Sequence, residues 1–261
     1  MRVLVVAPHA DDEVLGAGGY MAKLANAGHE VFVLIMCDRS EGHSYDPQLI
    51  GFLRDCALKA NAILGTKAVF FAHLREERLD TSLSDVIVPI EKHIAMIRPS
   101  LVMLPHRGDV NQDHRAVFEA GLVATRTLGN WEDKYTENEL RGAASPYKQK
   151  EKTARRYNVQ KVLCYEVPST TEQAPPGWGF NPNVFVDITD TLEQKVRALA
   201  CYTSETDAFP FPRSLEGMRV VARFRGMAAS FEAAEAFELK REIVFTTNGS
   251  STTKSKVKRK R

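Results

Sequence analysis

RVLVVAPHADDEVLGAGG, residues 2–19, reads as a strand, a sharp turn and the start of a helix. Val3 to Val6 are a continuous apolar run, the pattern of a strand buried on both faces of a parallel sheet. Pro8 stops it. His9, Asp11, Asp12 and Glu13 follow at once, ahead of a glycine-spaced helical pattern. Four ionisable groups at a strand end do little for stability. They suit a metal: His9 and Asp12 offer a neutral imidazole and a carboxylate three residues apart, both acceptable to zinc. Asp11 stands between them, free to act as a base.

The same arrangement recurs in LVMLPHRGDVNQDHRAV, residues 101–117. Leu101 to Leu104 form an apolar strand, Pro105 ends it, and His106, Asp109, Asn111, Asp113 and His114 fill the loop. An amphipathic helix runs on from Ala116 to Val123.

Strand-like runs are expected at Val3–Ala7, Val31–Met36, Ala68–Phe71, Leu101–Leu104, Val162–Tyr165 and Val184–Val186. Helical patterns separate the first four, at about 17–27, 50–64, 84–97 and 114–126. Further helices are expected at about 190–202, 214–224 and 231–240. Alternation of this kind predicts an α/β fold: a Rossmann-like, doubly wound, mostly parallel sheet of order 3-2-1-4-5, with C-terminal strands and helices added. In such a sheet the chain reverses between strands one and four, and the crevice opens at their carboxyl ends. The two His/Asp clusters follow those two strands, so His9, Asp12 and His114 are expected in one crevice.

The chain has 261 residues, 44% of them hydrophobic, enough for one domain with a full core. It reads as a single domain over 1–245, with a charged insertion at about 128–160 and a disordered basic tail over 246–261. Six basic residues lie in the last eight positions; without them the formal charge of +2 becomes −4. The globular part therefore has no general affinity for nucleic acid, and a contact by the tail is the one exception. No apolar run is long enough to span a membrane, and the direct entry into a strand, with no basic n-region or cleavage site, leads to the expectation of no signal peptide. Cys37, Cys56, Cys164 and Cys201 form no close pair, which points to a reducing cytoplasm. Cys37 reads as a small buried hydrophobe. The loop PSTTEQAPPGWGFNPN, residues 168–183, is expected to be ordered and to lie at a sheet end.

Two imidazoles and a carboxylate are the ligand set of catalytic zinc sites, which keep a position for water; closed structural sites favour cysteine. Zinc makes hydroxide available near neutral pH and polarises carbonyls, so Zn2+ with Asp11 as base suits amide hydrolysis. Asp109 and Asp113 are placed to hold the ligand imidazoles, or the loop itself, as acceptors. Asp11, Asp12 and Glu13 would also complement a helix N-terminus, and Asp113-His114 would serve as a cap. The conjunction of two clusters at one switch point favours the metal. GAGG at 16–19 is not a dinucleotide fingerprint.

PHADDE and the later DVNQDH resemble the motifs of the LmbE-like deacetylases, relatives of N-acetylglucosaminyl-phosphatidylinositol de-N-acetylase (PIG-L). The resemblance covers residues 1–126 and resumes in VLCYEVPSTTE, NPNVFVDIT and the stretch 213–238. It implies a Rossmann-like zinc hydrolase that removes N-acetyl groups from acetamido sugars, with His9, Asp12 and His114 as ligands and Asp11 as general base. It places Arg54, in GFLRDCALKANAILG, toward substrate. Many members carry a histidine where Asn111 stands; an amide donates a hydrogen bond but is no acid. His106 is the alternative donor, or Asp11 makes both proton transfers. The catalytic set is thus read as Asp11, Asp113 and Asn111, and the substrate-binding set as Arg54, Glu172 and His106. A deacylase of a non-sugar amide, or an inactive metal- or ligand-binding protein, are the competing readings. A homo-oligomer is expected.

Overall fold

The computed structural model describes residues 1–41, 44–45, 47–127 and 158–244. The tail and all but the last three residues of the charged insertion lie outside them. Seven strands form the main sheet: β1 (Arg2–Ala7), β2 (Glu30–Asp38), β3 (Ala68–Arg75), β4 (Leu101–Pro105), β5 (Lys161–Tyr165), β6 (Val184–Asp187) and β7 (Ala234–Glu242). Their order is β3-β2-β1-β4-β5-β7-β6. The first five are parallel, and β7 runs antiparallel to both β5 and β6. The predicted 3-2-1-4-5 order and the switch point between β1 and β4 are therefore present.

Successive residues of a strand point to opposite faces, and here both faces are apolar. Val3, Val5, Val31, Val33, Leu101 and Met103 pack with α1 (Asp12–Asn26) and α2 (Pro47–Leu64). Leu4, Val6, Phe32, Leu34, Val102 and Leu104 pack with α3 (Leu83–Ile97) and α4 (Gln112–Ala124). Two further helices, α5 (Leu192–Leu199) and α6 (Leu215–Met227), complete the described fold. No described helix is long and apolar enough to cross a membrane.

Gly16 of α1 lets the sheet approach it. A Cβ on Gly16 would sit 2.1 Å from the Tyr165 ring. That ring is buried, and its hydroxyl donates to the Val6 carbonyl at 2.7 Å. Helix α1 thus lies close over the β1–β5 side of the sheet, with its N-terminus at the switch point.

One predicted helix is a strand. FEAAEAFELK, residues 231–240, is rich in helix formers, yet Ala234–Glu242 forms β7 between β5 and β6. Tertiary context overrides propensity. Two glutamates obscured the strand pattern, because each is buried with its own partner. Glu235 takes Lys195 Nζ at 2.7 Å and the amides of Gly19 and Tyr20 at 2.8 and 2.7 Å. Glu238 takes the Asn181 amide at 2.8 Å and lies 3.4 Å from His106 Nδ1. The other expected elements hold within a few residues, except that α1 starts at Asp12, five residues before the pattern suggested.

Candidate metal centre and active site

The turn after β1 delivers His9, Asp11 and Asp12. Asp12 opens α1 and folds its side chain back: Oδ2 accepts from the His9 amide at 2.9 Å. Asp11 stands at φ 118, a region L-residues rarely adopt, with its amide donating to Glu13 Oε2 at 3.1 Å. Glu13 is buried and structural; its other oxygen accepts from Tyr202 Oη at 2.5 Å and Asn61 Nδ2 at 2.9 Å. The loop after β4 delivers the rest. Asn111 is the N-cap of α4, its Oδ1 accepting from the Asp113 amide at 2.8 Å. This cap places Asp113 and His114 in the first turn, facing β1.

Three donor atoms meet. His9 Nδ1 and Asp12 Oδ2 are 3.2 Å apart, His114 Nε2 and Asp12 Oδ2 3.3 Å, and the two imidazole nitrogens 3.3 Å. A tetrahedral ion bonded at about 2.0–2.1 Å holds its ligands about 3.3 Å apart, so this triangle has the edge such an ion requires. Each imidazole turns its other nitrogen to a carboxylate. His9 Nε2 meets Asp113 Oδ2 at 3.1 Å, and His114 Nδ1 meets Asp109 Oδ2 at 3.1 Å. These are the outer contacts that fix a ligand imidazole's tautomer and aim. Asp113 is itself held by the amides of Glu77 at 2.7 Å and Leu79 at 3.2 Å, in the loop after β3.

His9, Asp11, Asp12, Asp109, Asp113 and His114 are all buried. The carboxylates of Asp12, Asp109 and Asp113 in that space call for cations. Without a metal, protons on the imidazoles supply them. Burial pulls both histidines down, but Asp113 and Asp12 outweigh it at His9, and Asp12 and Asp109 push His114 up to about 9. Burial would raise Asp12, yet the two histidines hold it well below the usual carboxylate range. Asp11 goes the other way: burial, with the Asp12 charge second, lifts it to about 8 against the pull of Arg213. A dication in the triangle would take over the role of those protons and, standing beside Asp11, would favour its ionised form. The donor set and its edge lengths fit such an ion, as do the buried carboxylates of Asp109 and Asp113 behind the imidazoles.

The residues expected to bind substrate stand outside the triangle. Arg54 lies across a cleft that it lines together with His9, Arg39, Asp38 and Phe71, its guanidinium 4.9 Å from the Phe71 ring centre. Cys37 is buried in the core, as expected, and also lines this cleft, with Sγ 3.9 Å from Asp113 Oδ2. His106 is engaged outside the triangle: Nε2 donates to the Trp178 carbonyl at 2.8 Å, and Nδ1 faces Glu238. Glu172 is exposed and closes its own turn, Oε1 accepting from the Ser169 amide at 2.7 Å. The hydroxyls beside it reach inward. Thr170 and Thr171 donate to Asp109 Oδ2 at 2.9 and 2.6 Å.

Arg213 is the residue that sequence reasoning missed. It arrives from the loop between α5 and α6, and its Nη1 donates to Asp11 Oδ2 at 3.0 Å. It lies in the C-terminal stretch that carries the resemblance, but nothing in the local pattern marks it.

The sequence pattern of the PIG-L family, described as GlcNAc-PI de-N-acetylase, matches residues 4–125. An uncharacterized deacetylase of Escherichia coli K12, YaiS, is 30% identical over 131 residues, covering 48% of this chain and 69% of that protein. The chain belongs to the PIG-L family. A second relative in sequence is the diacetylchitobiose deacetylase of Thermococcus kodakarensis, 25% identical over 249 residues, 90% of this chain and 81% of that one. Among solved structures, the N,N'-diacetylchitobiose deacetylase of Pyrococcus horikoshii superposes with a TM-score of 0.67 at 24% identity, covering 91% of this chain and 83% of the other. GalB of Pseudomonas putida, a 4-carboxy-2-hydroxymuconate hydratase, gives 0.66 at 22% identity, covering 95% and 99%. At those identities the superpositions show the fold alone, and the fold serves more than one reaction. Membership of the PIG-L family and the donor cluster support a deacetylase-type site with the capacity to hold a metal.

Proposed function

We propose that this chain is a zinc-dependent N-deacetylase that removes the acetyl group from an acetamido sugar or sugar conjugate. The observation that carries the reading is the triangle of His9, Asp12 and His114 with the buried carboxylate of Asp11 beside it. Two imidazoles and one carboxylate favour zinc over magnesium or calcium, which prefer oxygen. Zinc, when bound by His9, Asp12 and His114, supplies Lewis acidity toward water and toward the amide carbonyl.

The rest falls to the chain's own groups. Asp11 Oδ1 is buried without a hydrogen-bond partner, whereas Oδ2 is held by Arg213. Oδ1 accepts the proton of the attacking water and returns it to the departing amine nitrogen, so water and amide become acetate and free amine. Asp113 and Asp109 keep His9 and His114 aimed at the metal. The cleft beside His9 receives the sugar, with Arg54 and Phe71 as its far wall. The names of the deacetylase relatives support an acetamido substrate.

Free-amine detection over a panel of N-acetylated sugars, nucleotide sugars and non-sugar N-acetyl amides tests this. Turnover of a sugar member, lost in Asp11→Asn, is expected. Turnover confined to non-sugar amides would replace the substrate class. No amine from any member, with zinc bound, would overturn the assignment.

A further inference from the structure

Eight residues form a loop of polar contacts around the donor triangle, joined by the chain itself at two steps. From Asp12 it runs to His114, to Asp109, to the hydroxyls of Thr170 and Thr171, along the backbone to Ser169, to Arg213, and back to Asp11, the neighbour of Asp12. Arg213 is the link that closes it. Its Nε donates to Ser169 Oγ at 2.7 Å and its Nη1 to Asp11 Oδ2 at 3.0 Å.

We propose that Arg213 is a positioning residue: it clamps one oxygen of Asp11 against the rigid turn 169–173, and so fixes the other toward the reacting water. The proposal rests on the reading of Asp11 as the base. The backbone of Asp11 is already pinned. Its amide is held by Glu13, and its carbonyl accepts from Val14 and Leu15 at 3.0 and 2.9 Å. What the backbone leaves free is the rotation of the carboxylate, and a guanidinium on one oxygen removes that freedom.

The anchor on the other side is equally firm. Ser169 stands at φ 86, its amide bonded to Glu172 and its carbonyl accepting from Gln173 Nε2 at 2.6 Å. Thr171 is buried and bonded to Asp109. A guanidinium fork spans both partners at once; an ammonium has one point of charge and cannot reproduce the spacing. On this account the 168–173 turn, Glu172 included, acts on the chemistry through Arg213 and Asp109.

Arg213→Met, Arg213→Lys and Arg213→Ala test it, in wild-type and Asp11→Asn backgrounds, on the best substrate from the panel. Arg213→Met should lower kcat 10- to 100-fold, with KM within about twofold and zinc content unchanged. Lysine should restore only part of the rate, and added guanidinium should rescue Arg213→Ala. In the Asp11→Asn background Arg213→Met should cost nothing further, since the effect runs through Asp11. Crystal structures of wild type and Arg213→Met should show the Asp11 carboxylate turned to a new rotamer. An unchanged Asp11 rotamer overturns the proposal, whether or not the chain turns over any substrate. A rise in KM alone would make Arg213 a substrate contact, and equal losses in both backgrounds would sever it from Asp11. Failure of the base assignment itself reads differently: Asp11→Asn would then keep wild-type kcat.

Discussion

His9 and His114, 105 residues apart in sequence, bring Nδ1 and Nε2 to 3.3 Å across the crevice between β1 and β4. Two imidazoles meet edge to edge in this way because separate carboxylates, Asp113 and Asp109, turn each ring from behind. The pairing sets two nitrogen donors inside a shell of buried acids.

Those outer carboxylates should matter to metal affinity without being ligands. Asp109→Asn and Asp113→Asn each keep shape and remove charge. Each should weaken zinc binding by about 10- to 100-fold, measured by competition with a chelating dye. Unchanged affinity in both would remove them from the site's design.

Asp11→Asn should behave in the opposite way. Zinc content should stay at the wild-type level while kcat falls by about 10²- to 10⁴-fold, the usual contribution of positioned proton transfer. Loss of zinc in Asp11→Asn, with zinc retained in Asp12→Asn, would exchange the roles of the two neighbours.

The legibility of the site follows from these contacts. Strands β1 and β4 were plain because they are buried on both faces and bounded by proline, and His9, Asp12 and His114 followed from the topology those strands imply. Arg213 was not, because its bonds to Asp11 and Ser169 cross 202 and 44 residues and obey no local period. His106 and Glu172 are polar groups at the right sheet end, but sequence cannot show that Trp178 and Ser169 engage them. The strand β7 was hidden by Glu235 and Glu238, whose partners come from other parts of the chain.

Gly16→Ala tests the close approach of α1 to the sheet. The new methyl would sit 2.1 Å from Tyr165 Cδ2, and the ring is tethered to Val6. Destabilisation of about 1–3 kcal/mol or more is expected in denaturant unfolding. A neutral result would mean that α1 shifts freely, which the Asp12 geometry does not allow.

Lys195→Met tests the buried pair beneath α1. Lys195 bridges the Leu15 carbonyl and Glu235, and both charged side chains are buried. Removing the cation alone should cost about 3–5 kcal/mol, by leaving Glu235 unpaired. Lys195→Met combined with Glu235→Gln should be milder than Lys195→Met alone. A single variant as stable as wild type would show that the two amides of α1 suffice for Glu235.

His9, Asp12 and His114 are expected to hold one zinc ion. Elemental analysis of the purified, zinc-reconstituted chain, beside His9→Ala and His114→Ala, measures it directly. About one zinc per wild-type chain is expected, with loss of stoichiometric binding in either variant and the fold intact. Full occupancy in both variants, or a wild-type chain that holds no divalent ion after reconstitution, would contradict it.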